Sequence, residues 1–336
     1  LWNSSSPLRR SGSLTAREQP GTQSTKGKEL SMAILCWANM QRPLMILTLI
    51  LLALAFSGLG CDDPEGSDGD ADSDVDSDGD ADTDGDGDGD WDPRFDELAA
   101  SIMDERETLG APGVAFAIIE HGEVVFAEGF GNRHPDTDDP VDATTLFRMG
   151  SVNKLITAIA LLQLVDEGLV DLDDPVTDVL PEFEFALDAS WAPSITVRHA
   201  LAHLSGMFDY GEYSHPDDDQ LEARMLWYAQ NYFLMAPSGR FWNYANPNYS
   251  LAGWMIERLG EGYYREVMDE SVFTPLEMNR TMFLGSEVLA DGDYASGLTT
   301  NWETGVGRAV AEPDSYDSSF MRPAGFAWTN VLDLCE

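Results

Sequence analysis

Gly150-Ser151-Val152-Asn153-Lys154 runs directly into the apolar stretch Leu155-Ile156-Thr157-Ala158-Ile159-Ala160-Leu161-Leu162. At helical spacing, residues three apart share a face, so the Lys154 amine lies one turn inward from the Ser151 hydroxyl. A helix start supplies free backbone N–H groups and the positive end of the macrodipole, and both favour developing negative charge. Lys154 is the single lysine after Cys61, against twelve arginines. Guanidinium stays charged in proteins, whereas a desolvated amine can lose its proton. Ser151 and Lys154 therefore read as a nucleophile beside the base that activates it. A plainer reading makes Ser151 an N-cap and Lys154 a snorkelling surface residue; it accounts for the serine but not for the lone lysine.

Working outward, the chain of 336 residues is 43% hydrophobic, enough for a sizeable core. Its net charge of −41 divides into +4 before Cys61, −15 over Asp62 to Asp90 and −30 from Trp91 onward. Nothing in so acidic a chain can neutralise phosphates in bulk, which argues against a nucleic-acid partner. The three cysteines, Cys36, Cys61 and Cys335, do not suggest a disulfide framework.

Leu44 to Phe56 form an apolar run preceded by Arg42 and followed by Ser57-Gly58-Leu59-Gly60-Cys61. The run is short for a membrane span but suits an export signal, and the residues before Met40 read as an upstream extension. The small residues before Cys61 resemble a bacterial lipoprotein signal, in which that cysteine is lipidated and becomes the mature N-terminus. Gly58 departs from that pattern, which prefers Leu there; ordinary cleavage and an uncleaved anchor are the alternatives. The expected location is periplasmic or cell-surface, with Cys61 holding the protein to a membrane. Residues 62–92 form an Asp-rich linker, self-repelling and without apolar surface to bury. Asp74-Val75-Asp76-Ser77-Asp78-Gly79 matches half of a calcium loop, but Gly85 stands where the bidentate Glu belongs, so loose counter-ion binding is the expectation.

From 93 to 336 the composition is globular. Phe95, Leu98, Ala99 and Ile102 fall at helical spacing before Gly110, and Val114–Ile119 with Val124–Ala127 flank a turn at His121-Gly122. The helix after Ser151 carries Ile156, Ile159, Leu162 and Val165 as its apolar stripe and stops at Gly168. Further helices are expected at Ile195–Leu204, Leu221–Phe233 and Tyr249–Leu259. A helix, a hairpin and then mostly helices give an α+β class with a helical lobe. A second constellation, Tyr244-Ala245-Asn246, follows Pro237-Ser238-Gly239-Arg240-Phe241; a phenol and an amide two residues apart on a loop can face one cleft, Tyr244 to relay a proton and Asn246 to bind substrate through its carbonyl or to hold the lysine.

Together these stretches resemble the penicillin-recognising serine hydrolases: class C β-lactamases, DD-peptidases and related esterases. Gly113-Val114-Ala115-Phe116-Ala117, Gly129-Phe130-Gly131 and Leu146-Phe147-Arg148-Met149-Gly150-Ser151 match in order and spacing. So do Ile195-Thr196-Val197-Arg198-His199, His203-Leu204-Ser205-Gly206, Pro275-Leu276-Glu277-Met278 and Pro323-Ala324-Gly325. The resemblance implies a β-lactamase/DD-peptidase-like fold, an antiparallel sheet flanked by helices plus a helical lobe. It makes Ser151 the acylated nucleophile, Lys154 its activator, and Tyr244 and Asn246 the second active-site element, leaving open whether Lys154 or Tyr244 is the base. The family's third element, a Lys- or His-headed triplet on a strand lining the nucleophile, has no counterpart before Glu336; Glu303-Thr304-Gly305 begins with an acid and precedes Pro323. The domain thus reads as incomplete at its C-terminus, with a sheet edge and apolar face uncovered.

The expectation is an exported serine hydrolase forming an acyl-enzyme on an ester or amide, whether a β-lactam, a cell-wall peptide or a small ester, without cofactor. The alternative is an inactive envelope-anchored protein that binds peptidoglycan-like ligands. His199 and His203 lie four apart, but Ala200 stands where a zinc protease has Glu, so no metal site is assigned. Trp227, Tyr228, Tyr232, Phe233 and Trp242 form either a substrate wall or part of the core. No Gly-x-Ser-x-Gly elbow is present.

Overall fold

Period-two alternation lays out the sheet. The computed structural model describes residues 32–37, 92–187, 190–212, 215, 218–300 and 308–336. Its main sheet is antiparallel, ordered β1 (Met32–Trp37), β2 (Gly113–Glu120), β3 (Glu123–Gly131). The β2–β3 turn is His121-Gly122, both at positive φ (55° and 84°), as a tight hairpin twisted with its strands requires. Val114 and Phe116 of β2 pack with Phe126 and Phe130 against Phe95 and Ala99 on and beside α1 (Asp96–Leu109). Ala115 and Ala117 point to the other face, toward Val141, Phe147 and Val331.

The sequence reading leaves a sheet edge open. In the structure β1, from the stretch read as an upstream extension, pairs along β2 from Met32↔Ile119 to Trp37↔Val114. An unpaired strand edge presents a row of N–H and C=O groups that an extended segment can satisfy.

The strand before Ser151 is β4 (Phe147–Arg148). It leads through a tight turn, Gly150–Val152, into α2 (Asn153–Asp166). The helical lobe that packs on α2 contains α3 (Val197–Leu201), α4 (Leu221–Asn231), α5 (Pro247–Gly260) and the short turn α6 (Arg322–Gly325). A single large core joins them, with Leu161, Tyr228, Trp254, Phe183 and Phe320 fully buried. A two-stranded ribbon, β5 (Gly297–Thr300) with β6 (Arg308–Ala311), lies apart, and β7 (Trp328–Thr329) pairs with β4.

Helix boundaries shift for local reasons. The helix expected from Ile195 to Leu204 spans only Val197–Leu201, because Thr196 is extended and caps it by accepting the His199 N–H. The helix expected from Tyr249 begins at Pro247, whose fixed φ suits a first helical position. The helix expected to reach Phe233 ends at Asn231.

The stripe assigned to α2 divides. Ile156 is buried, but Ile159 and Leu162 join Val152 and Leu155 on an open face, 39–64% exposed among the described residues. The buried face is instead Asn153, Lys154, Ile156, Thr157, Ala160 and Leu161. Among the described residues no helix is long and apolar enough to cross a membrane. The apolar run 44–56, Cys61, the Asp tract and the triplet 303–305 lie outside the described residues.

Candidate active site

Two backbone features set Ser151 at the end of its strand. Gly150 has φ +55° with open space where a Cβ would be, so glycine is required for conformation rather than for room. Alongside, Gly325 approaches so closely that a Cβ there would lie 3.1 Å from the Gly150 carbonyl carbon. The two segments are laced together: Met149 N–H donates to Ala327 O at 2.9 Å, and the Arg148 guanidinium sits 4.8 Å from the ring centres of both Phe326 and Trp328.

Lys154 is 6% exposed, and its ammonium has an acceptor for each of its three N–H donors. It donates to Ser151 Oγ at 3.2 Å, to Asn246 Oδ1 at 2.9 Å and to the Ala324 carbonyl. The amine also lies 4.9 Å from the Tyr244 ring centre and 5.6 Å from that of Tyr249. Burial lowers its pKa to about 8, opposed in part by the negative charge of Asp209. The Tyr244 hydroxyl donates to Ser151 Oγ at 2.7 Å. Burial raises that phenol above its ordinary value, so it holds its proton at neutral pH.

The structure thus brings Ser151, Lys154, Tyr244 and Asn246 into one hydrogen-bonded group. Their positions follow from three carbonyls on the chain at and beside α6. Arg322 O accepts Asn153 Nδ2 at 2.6 Å, Pro323 O accepts the Thr157 hydroxyl at 2.7 Å, and Ala324 O accepts Lys154. Arg322 is itself anchored in the core by a two-point pair with Asp317, at 2.7 and 3.1 Å, and by Asp219 at 3.2 Å.

Sequence reasoning missed Asp209 and the role of His203. Asp209 Oδ1 accepts both the backbone N–H of Asn246 at 2.8 Å and its side-chain Nδ2 at 3.2 Å. This fixes the amide so that its oxygen faces Lys154. The signal was a lone Asp five residues after Leu204, indistinct among sixty acidic residues. His203 adopts φ +57°, a left-handed conformation that costs energy in a side chain with a Cβ. Its ring lies 4.4 Å from that of Tyr244, and its Nδ1 faces the donors Ala245 N–H at 3.3 Å and Asn248 Nδ2 at 3.1 Å. Burial and the Lys154 charge lower its pKa to about 4, so it supports Tyr244 as a neutral ring. His199 is turned away, in the α3 cap.

The five aromatic residues separate in the structure. Tyr228 is in the core. Trp227, Tyr232 and Phe233 join Phe208 and Tyr210 in a ring cluster. Trp242 instead stands beside Tyr244, their ring centres 6.4 Å apart.

Comparison with known proteins gives the family and the fold. The family model described as Beta-lactamase matches residues 95–336. The chain is 32% identical over 200 residues to penicillin-binding protein 4 of Amycolatopsis lactamdurans, covering 59% of this chain and 50% of that protein. It is 37% identical over 114 residues to esterase EstB of Burkholderia gladioli, covering 34% and 28% respectively. Among solved structures, the octameric penicillin-binding protein homologue from Pyrococcus abyssi superposes with a TM-score of 0.60 at 28% identity, over 71% of this chain and 54% of that one. The D-amino acid amidase from Ochrobactrum anthropi shares the fold, with a TM-score of 0.61 at 24% identity over 72% and 68%. The chain spans half or less of the length of these curated relatives.

Proposed function

The chain belongs to the Beta-lactamase family, within the penicillin-recognising serine hydrolases, and on that premise we propose that it is a hydrolase working through an acyl-enzyme at Ser151. The observation that carries this reading is the set of partners around the Lys154 amine. Asn246 Oδ1 and Ala324 O carry no proton to give, and Asp209 prevents the Asn246 amide from turning its NH₂ toward the lysine. A neutral Lys154 therefore spends its two N–H groups on those oxygens and aims its lone pair at Ser151 Oγ. Tyr244 already donates to that same oxygen, so the serine proton has one place to go.

The resulting chemistry assigns Lys154 as the base. Its pKa of about 8 lies below that of the Tyr244 phenol, which burial raises. Ser151 Oγ–H passes its proton to Lys154 Nζ as Oγ bonds to the substrate carbonyl carbon. The tetrahedral adduct collapses with cleavage of the ester or amide bond. Tyr244 delivers a proton to the departing oxygen or nitrogen and regains one from Lys154. Water then hydrolyses the acyl-serine and restores the hydroxyl.

A fluorophosphonate probe applied to the full chain tests the assignment by intact mass. One adduct that maps to Ser151 and disappears in Ser151→Ala is expected. A folded protein that takes up no label would favour the alternative, an envelope protein that binds ligands without turnover.

The proposed location is the bacterial envelope, with Cys61 as lipid anchor, supported by the apolar run and small residues before it. Expressed in a bacterium, the full chain is expected in the membrane fraction and Cys61→Ser in the soluble fraction. Equal partitioning of the two would remove the anchor.

A further inference from the structure

Two groups of exposed aromatic rings stand out. Phe208, Trp227 and Phe233 are 40–47% exposed, and their ring contacts run to Tyr210, Tyr232 and, between Phe208 and Phe233, to each other, not to Tyr244. Trp242 is different. It is 64% exposed, its ring packs at 6.4 Å against Tyr244 and at 6.2 Å, edge-on, against His203, and Tyr244 is the residue that bonds Ser151 Oγ.

Residues 242–245 lie outside any helix or strand and alternate in exposure. Asn243 donates inward to Met207 O at 3.0 Å and Ala245 is fully buried, so Trp242 and Tyr244 share the outer face. An indole left open there is neither core nor scattered surface: it continues the aromatic face of the catalytic tyrosine. Charge points the same way. The ionised groups in the bonded cluster are Lys154, already saturated with acceptors, and Asp209, so an incoming carboxylate gains no partner there. The chain from Trp91 onward carries −30, which repels anions generally.

We propose that Trp242 forms an acyl-side subsite for neutral esters and amides whose acyl group carries an aromatic ring. This rests on Ser151 being the nucleophile, and it goes beyond that assignment by naming the substrate class. The ring of the acyl group stacks on or edges against the indole while its carbonyl carbon sits over Ser151 Oγ. Trp242 acts by binding and orienting and takes no part in proton transfer.

Three phosphonofluoridates that differ only in the phosphorus substituent (methyl, benzyl or carboxymethyl) measure this on the full chain. Each reacts by Ser151 Oγ bonding to phosphorus with loss of fluoride, so the adduct counts directly by mass. The benzyl probe is expected to label about tenfold faster than the methyl probe. In Trp242→Ala that ratio is expected to fall to about one, and in Trp242→Phe to remain above three. Far-UV circular dichroism confirms that the variants fold, as expected for a residue this exposed. Equal rates for methyl and benzyl in the parent chain overturn the subsite while leaving Ser151 as nucleophile. So does a ratio unchanged in Trp242→Ala. Fastest labelling by the carboxymethyl probe overturns it in favour of anion recognition, for which the exposed Arg240 two residues earlier is the available cation. Absence of labelling by all three removes the nucleophile assignment itself, and this inference with it.

Discussion

Replacing Lys154 with arginine is expected to slow acylation of Ser151 about 1000-fold, with the fold retained. Arginine preserves the positive charge and can donate to Asn246 Oδ1 and Ala324 O, so a role limited to bridging those oxygens would survive the change. What is lost is the lone pair. The guanidinium stays protonated at any working pH, and Ser151 keeps its proton. The pH profile separates this from simple misplacement. With the amine titrating at about 8, the labelling rate of the parent chain should climb through neutrality and level off above that value. At pH 6 about one lysine in a hundred is neutral, so the rate should be about 100-fold below the plateau. Lys154→Arg should show no such rise. Asp209→Asn supplies the converse. The Asp209 charge holds the amine's pKa up, so its removal lowers that pKa further and moves the rise to lower pH. A flat profile in the parent chain, or near-parent labelling in Lys154→Arg, would exclude Lys154 as the base.

The two halves of this site were not equally legible from sequence. Ser151 and Lys154 announced themselves because the helical repeat fixes their relation, and because one lysine among twelve arginines is conspicuous. Tyr244 and Asn246 lie 93 and 92 residues away from their partners Ser151 and Lys154, so only the family pattern joined them to the nucleophile. The Ala324 carbonyl was invisible, since a backbone oxygen carries no sequence signature. Asp209 was hidden for the opposite reason, an acid in a chain crowded with acids. The same logic applies to the fold. The β-rich runs Val114–Ile119 and Val124–Ala127 about His121-Gly122 gave the hairpin, because strand-forming residues and a tight turn are both local signals. Along α2 an almost unbroken apolar run offered no contrast, so periodicity could not say that Asn153 and Lys154 turn inward while Leu155 and Ile159 turn out. Polar residues on a buried helical face mark a site better than they mark a fold.

Gly253→Ala is expected to cost about 1–3 kcal/mol of stability and, more tellingly, to reduce Ser151 labelling about 100-fold from outside the hydrogen-bonded cluster. Gly253 is where α5 crosses the chain at Pro323. A Cβ there would lie 2.3 Å from Pro323 Cγ, 2.7 Å from its Cβ and 3.3 Å from Leu221 Cδ2. The proline ring cannot fold out of the way as a flexible side chain would. Either α5 or the Pro323 segment must yield, and the two are unequal opponents. α5 is held through Trp254, Met255 and Ile256, all within the core, whereas Pro323 belongs to a four-residue turn. That turn is tethered to α2 by the three carbonyls of Arg322, Pro323 and Ala324. Moving it by about 1 Å pulls Ala324 O from the lysine, leaving an N–H without its acceptor and the lone pair no longer aimed at Ser151. Melting temperature and labelling rate should therefore fall together in Gly253→Ala. Adding Pro323→Ala removes the Cγ that the new methyl strikes and should restore part of both, giving a coupling energy of opposite sign to the single losses. If Gly253→Ala lowers stability but labels at the parent rate, the Ala324 carbonyl is not what holds the amine in register.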